Sequence, residues 1–265
     1  MNNKSRISSI INAAYLDASI TDFPSFKLSK LDIVSDFNFE LPTHLRLGHL
    51  VENIVSKLIK SSTNYKVLFE NIQFIENEKT IGEIDFIVSN EKTNIITHIE
   101  LAYKFYLYDP TISSIEINNW IGPNRNDSLK EKLDKLKNKQ FPLLYSNPAK
   151  LKLNEIEIKE LTQELCFLVS LFIPYEYKTS ISLVYQKAIK GYYLNIEKLM
   201  DIDHSEKYYY IPLKKEWGIS PSENETWRDF NDIKNQVINC IQEKQSLLCW
   251  QKYKDTYSAF FIVWW

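Results

Sequence analysis

The chain is short of glycine and cysteine, carries almost no net charge and has no long apolar run. Each shortage removes a class of function. Five glycines in 265 residues include no Gly-rich phosphate loop and no dinucleotide-binding fingerprint. No G-x-S-x-G string occurs, and no cysteine stands beside a histidine, so nothing supports a serine or cysteine nucleophile. The three cysteines, Cys166, Cys240 and Cys249, are odd in number and lack metal-ligand spacing. They are expected to be buried core residues of a protein kept in a reducing cytoplasm. A net charge of -2 offers no general attraction to nucleic acid, so any such contact must be a local patch. The longest apolar run, Cys166–Pro174, is far shorter than the roughly 20 residues a membrane helix requires. The first residues, MNNKSRISSIINAAYLDAS, lack the apolar core of a signal peptide. The expectation is a soluble cytoplasmic protein with no membrane partner.

What is present is a globular composition: 44% hydrophobic, 25% charged and 14% aromatic residues. The stretch that organises the rest runs from Ile81 to Tyr108. It reads as two strands, Ile81–Ser89 and Ile95–Leu107, joined by turn-forming polar residues. With Asp85 opposite Glu100, the hairpin closes through a four-residue loop, Glu91–Asn94. One face then carries Ile84, Phe86 and Val88 with Ile99, Leu101, Tyr103 and Phe105. The other carries Glu83, Asp85 and Ile87 with His98, Glu100, Ala102 and Lys104. A solvated strand face would also be polar, but the flanking runs are so apolar that much of this sheet is expected to be buried. Buried carboxylates need a partner, and a divalent metal is the obvious candidate.

Around this hairpin, Ile7–Leu16 reads as a short helix and Lys27–Phe39 as mixed. A helix from His44 to Lys60, capped by Thr43, has Leu47, Leu50, Val51, Ile54, Val55 and Leu58 as its buried stripe. Glu52 lies at the edge of that stripe, as a surface acid or as an acid leaning over the hairpin. Tyr65–Ile75 is a strand, with the turn Glu76–Thr80 after it. Gly122–Pro123–Asn124 has the chemistry of a tight turn. The helix Leu129–Gln140, capped by Asp127 or Ser128, is rich in lysine. Its charged face is a solvated surface or the best local candidate for phosphate contact. Leu161–Phe172 is helix or buried strand, since periodicity does not decide. Leu183–Asn195 reads as a strand, Asn224–Gln245 as a helix capped near Asn224 or Glu225, and Ala259–Trp265 as a terminal strand that must be covered. The order implies an α/β fold around a mixed central sheet flanked by helices. Residues 1–200 form its core, with the motifs within 45–145, and residues 201–265 form a C-terminal α/β extension packed on it.

A helix bearing an acid, an Asp in the first strand of a hairpin and a Glu with a Lys in the next resemble the PD-(D/E)XK nuclease superfamily. More closely, the strings RLGHLVEN, GEIDFIV, HIELAYKFYL and WIGPNRND resemble a family of bacterial proteins assigned to that superfamily, domain-of-unknown-function family 1853. The motif-bearing match covers Leu45–Leu144. The resemblance implies a restriction-endonuclease-like core in which Glu52 matches the first-helix glutamate, Asp85 the motif aspartate, Glu100 the acid of the (D/E)XK element and Lys104 its lysine. Ala102 stands where the pattern has lysine, and Lys104 follows two residues later on the same strand face, about 7 Å along. Gln140 occupies the following helix, where some relatives carry a glutamine, but Leu144 replaces the companion tyrosine and Gln140 is given little weight.

These residue types suit Mg2+ or Mn2+ and metal-dependent phosphodiester hydrolysis of DNA or RNA. Asp85 and Glu100 are the expected ligands, Glu52 a ligand or water-holder, and Lys104 the electrostatic helper. Arg125 and the helix lysines, Lys130 and Lys137 among them, supply the phosphate grip. His98, on the same face, is a ligand, a base or a satisfied structural histidine. Two rival readings are a nuclease fold that has lost the reaction and keeps a binding or structural role, and a hydrolase of some other phosphate substrate.

Overall fold

The computed structural model describes residues 3–33 and 39–265. Of the stretch read as mixed, Leu28–Lys30 forms a 3-10 turn, and residues 34–38 lie outside the described part. Among the described residues, nine strands form a mixed sheet flanked by helices. Strands and helices are numbered as they are introduced. The chain divides into two compact units that interleave in sequence: residues 15–103 with 131–168, and residues 1–14 with 104–130 and 169–265.

The first unit is built on three long strands, β1 (Tyr65–Glu76), β2 (Lys79–Asn90) and the start of β3 (Ile96–Tyr108). Asn77 and Glu78, both at positive φ, turn β1 into β2. A two-residue turn of that hand matches the twist of an antiparallel pair. At the next turn, the Asn90 side chain accepts from the N–H groups of Lys92 and Thr93, and the Asn90 N–H donates to Ile95 across the loop ends. This leaves Glu91–Asn94 as the loop. The ladder then pairs Ser89 with Ile96, Val88 with Thr97, Ile87 with His98 and Phe86 with Ile99. The expected register holds, and Asp85 and Glu100 occupy the next rung.

Both faces of this hairpin are covered. Ile84, Phe86, Val88 and Ile99 on one face, and Ile87, His98 and Glu100 on the other, are fully buried. Helix α1 (Leu47–Lys60) presents Leu47, Leu50, Val51, Ile54, Val55 and Leu58 to the interior, as the 3.6-residue period requires. It starts later than His44, because Arg46 is still extended and no side chain caps the end. Helix α2 (Leu129–Lys135) passes through a π turn, Leu136–Gln140, into a last helical turn at Phe141–Leu143. Thr162–Pro174, which periodicity left open, is a strand, and the order in this unit is β1, β2, β3 and then this strand.

In the second unit, strand β4 (Trp120–Ile121) pairs with the end of β3. β5 (Thr162–Pro174) runs parallel to β6 (Ile189–Asn195), and β6 runs parallel to β9 (Thr256–Val263). Antiparallel β8 (Leu247–Tyr253) and β7 (Lys207–Tyr210) complete it. Two expectations are corrected here. Leu183–Asn195 is not one strand, because a helical turn at Leu183–Gln186, with Tyr185 buried, precedes β6. The helix expected from Asn224 runs over Phe230–Gln242. Its cap is Asp229, which accepts from the Asp232 N–H, since Arg228 is already paired with Tyr209 of β7. The apolar AFFIV stretch is a covered strand, as expected, for β9 lies between β6 and β8 with Phe260, Phe261, Ile262 and Val263 buried. Gly191 permits the close approach of β6 and β9, where a Cβ would stand 2.0 Å from the Ala259 carbonyl oxygen.

Candidate functional site

At the rung beyond Phe86 and Ile99 the two strands exchange side chain for backbone. Asp85 Oδ2 accepts from the Leu101 N–H at 2.7 Å. The Glu100 carboxyl, fully enclosed, accepts on each oxygen: from His98 Nε2 at 2.8 Å on Oε1 and from Gln140 Nε2 at 2.6 Å on Oε2. Asp85 keeps partial access to solvent, so it is the open side of the pair.

Burial first, and then the Glu100 charge, pushes the Asp85 carboxyl up to about 8; the Leu101 N–H works against this, and the Glu52 charge adds to it. Burial likewise pushes Glu100 up to about 8, against the pull of Lys132, while Glu83 raises it further. Burial drives His98 down to about 4. The centre is thus two acids raised by burial, Asp85 further by the Glu100 charge, beside a neutral imidazole.

The hydrogen bonds define the protonation of that imidazole. Gln163 Nε2 donates to the Phe141 carbonyl at 2.9 Å and lies 3.1 Å from His98 Nδ1. An amide nitrogen can only donate, so Nδ1 accepts and the proton sits on Nε2, where it is given to Glu100. Lys132 Nζ donates to Gln140 Oε1 at 2.9 Å, which turns the Gln140 NH2 toward Glu100. His98 in this state is an orienting group and presents no lone pair to a cation.

Among the described residues, no three His, Cys, Asp or Glu side chains form a group that could hold a metal ion. Two carboxylates with a solvent-facing side still suit Mg2+, which is held by one or two carboxylates and keeps several waters. Such a cation would offset the cost of holding two acids side by side under burial.

Of the residues singled out from sequence, the structure brings Asp85 and Glu100 together, with Glu52 close enough for its charge to act on Asp85. Glu52 itself is held by His49 Nδ1 at 2.9 Å. Lys104 has its ammonium 2.9 Å from Asp127. Arg125 pairs with Asp109 at 3.1 Å and lies over the Trp265 ring at 4.5 Å. Lys137 pairs with Asp22 at 2.9 Å, and Lys130 is also engaged. Sequence reasoning set Glu83 on the face of Asp85 and Lys132 in the basic helix without making either a site residue, gave Gln140 little weight and missed Gln163. Glu83 shares the face and parity of Asp85, which was signal enough to include it.

A sequence profile described as Domain of unknown function (DUF1853) matches residues 28–255. No curated protein and no solved structure matches the chain.

Proposed function

The chain belongs to the DUF1853 family, and we propose that it is a divalent-cation-dependent phosphodiesterase acting on nucleic acid, built on a restriction-endonuclease-like core. The observation that carries the reading is the Asp85–Glu100 pair: two neighbouring acids, both raised by burial. A protein of marginal stability keeps such an arrangement against its cost when a ligand resolves it. The resemblance of the four motif strings to PD-(D/E)XK nucleases supplies the substrate class.

Asp85, the accessible member, and Glu100 would hold Mg2+ or Mn2+. Bound there, the cation would lower the pKa of a water and stabilise charge on a phosphate. Glu52, partly exposed and beside Asp85, is placed to hold that water. His98 donates to Glu100 and so keeps the carboxylate from turning away from Asp85. The test is cleavage of duplex DNA, single-stranded DNA and RNA with Mg2+ or Mn2+. Wild type should cut at least one, and Asp85→Asn should lose about 100-fold or more. No cleavage of any substrate, with Mn2+ bound, would overturn the reading.

One specific observation favours the rival, a nuclease fold that binds without cutting. The expected electrostatic helper, Lys104, is engaged by Asp127, and two cations expected to grip phosphate are engaged as well, Arg125 by Asp109 and Lys137 by Asp22. Binding of Mn2+ and of nucleic acid without turnover is its signature.

A further inference from the structure

Two directed chains of hydrogen bonds converge on one carboxylate. Along the first, Lys132 Nζ donates to Gln140 Oε1 at 2.9 Å, and Gln140 Nε2 donates to Glu100 Oε2 at 2.6 Å. Along the second, Gln163 Nε2 donates to His98 Nδ1 at 3.1 Å, and His98 Nε2 donates to Glu100 Oε1 at 2.8 Å. In each, the inner residue can act as donor or acceptor, and the outer residue removes the choice. Lysine has only donors, so Gln140 must present its NH2 inward. Gln163 is turned by the Phe141 carbonyl, so His98 must present its Nε2–H inward.

The helix is shaped to allow the first chain. Lys132 and Gln140 are eight residues apart, and at about 100° per residue a regular helix would set them roughly 80° apart around the axis. The π turn at Leu136–Gln140 absorbs one residue, which brings the pair to about 20°. Its position has a cause in the sequence. Pro142 follows at once; it has no N–H for the carbonyl four residues back, and its ring crowds that carbonyl, so the helix must widen there.

We infer that Lys132 and Gln163 are positioning residues that lock Gln140 and His98 as donors, forming a two-armed clamp that fixes the Glu100 carboxylate toward Asp85. The use of the clamp for cation binding rests on the function proposed above, but the lock itself is a property of the metal-free protein. A group held in this way needs no reorganisation when its ligand arrives, and outer partners of this kind typically change metal affinity about 10–100-fold.

The experiment has two parts. In 15N NMR of metal-free wild type, His98 should be protonated on Nε2 alone, and the Gln140 side-chain amide should exchange slowly. Lys132→Met should speed Gln140 exchange at least about tenfold and leave His98 unchanged; Gln163→Leu should mix the His98 tautomers and leave Gln140 unchanged. Lys132→Arg should restore protection. A wild-type Gln140 amide that exchanges like an exposed one, or one indifferent to Lys132→Met, overturns the clamp. In Mn2+ titration, Lys132→Met and the similarly sized Gln140→Met should each weaken binding about 10–100-fold with an unchanged unfolding midpoint. Should Lys132→Met fail to fold, Gln140→Met carries the same titration. Wild type that takes up no Mn2+ overturns the proposed function alone, since the NMR result stands without metal. Wild type that binds Mn2+ while both variants bind it equally well overturns the clamp alone.

Discussion

Each compact unit holds a group of charged side chains drawn from the motif strings, and the two groups are wired in opposite ways. In the second unit, WIGPNRND supplies Arg125 and Asp127, and each meets its opposite: Arg125 with Asp109 at 3.1 Å and Asp127 with Lys104 at 2.9 Å. The loop is tied further by Pro123, whose carbonyl accepts from Ser246 Oγ and from the Trp265 indole. In the first unit, GEIDFIV and HIELAYKFYL supply Asp85 and Glu100, and acid meets acid under burial. Matched pairs at a partly exposed loop are a structural solution. Mismatched acids inside a sheet are an unresolved cost, which the function proposed above assigns to a bound cation.

The largest effect that sharpens the contrast is in stability against pH. A carboxyl whose folded pKa is raised contributes stability that is fully present below its unfolded value and is lost as pH rises through the folded value. For Asp85, raised from 3.8 to about 8, that window runs from about pH 4 to pH 8. The metal-free protein should therefore lose on the order of 3 kcal/mol between pH 5 and pH 8 in denaturant titrations. Glu100, raised over the same window by burial, adds its own loss, so Asp85→Asn should reduce the slope without abolishing it. His98, lowered to about 4, acts in the opposite sense below its ordinary value of 6.5, and the Asp85 charge that raises it is lost in the variant, so the two proteins are compared above pH 6.5. A slope of the same size in Asp85→Asn would mean that Asp85 is not a source of it.

Next in size is Arg125→Ala. It leaves the Asp109 carboxyl, 9% exposed, without its cation and removes the contact with Trp265, so a loss of about 1–2 kcal/mol is expected in chemical unfolding. Divalent-cation affinity should be unaffected, and a marked fall in it would break the division between a structural and a functional group.

The smallest effect is expected at Lys104. Its pair with Asp127 is more than a third exposed on both sides, and pairs of that kind contribute under about 1 kcal/mol. Lys104→Met should shift stability by less than about 0.5 kcal/mol and leave cation binding as in wild type. A large loss of binding would return Lys104 to the site.

Much of this was legible in the sequence because it depends on parity and period. Alternation along Ile84–Val88 and His98–Lys104, with a loop rich in Asn, Glu, Lys and Thr, sets the register that faces Asp85 toward Glu100. The 3.6-residue stripe of α1 likewise places Glu52 at its edge. What was not legible depends on departures from period. A regular helix over Leu129–Gln140 keeps Lys132 and Gln140 off a common face, and only the π turn before Pro142 aligns them. Strand parity brought Lys104 to the correct face but carried no information about Asp127, which arrives from a loop 23 residues on. β8 was missed because its apolar residues follow directly on the helix expected to reach Gln245. That β9 is an interior strand follows from pairings with β6 and β8 that no local pattern encodes.

The claim that Asp85 and Glu100 form a cation site is tested most directly by calorimetric titration of Mn2+ into metal-free wild type near pH 7.5, beside the Asp85→Ala/Glu100→Ala double variant. One bound ion per wild-type chain, with binding lost in a double variant that still unfolds cooperatively, is the expected result. No heat from folded wild type, or equal binding by both proteins, would contradict it.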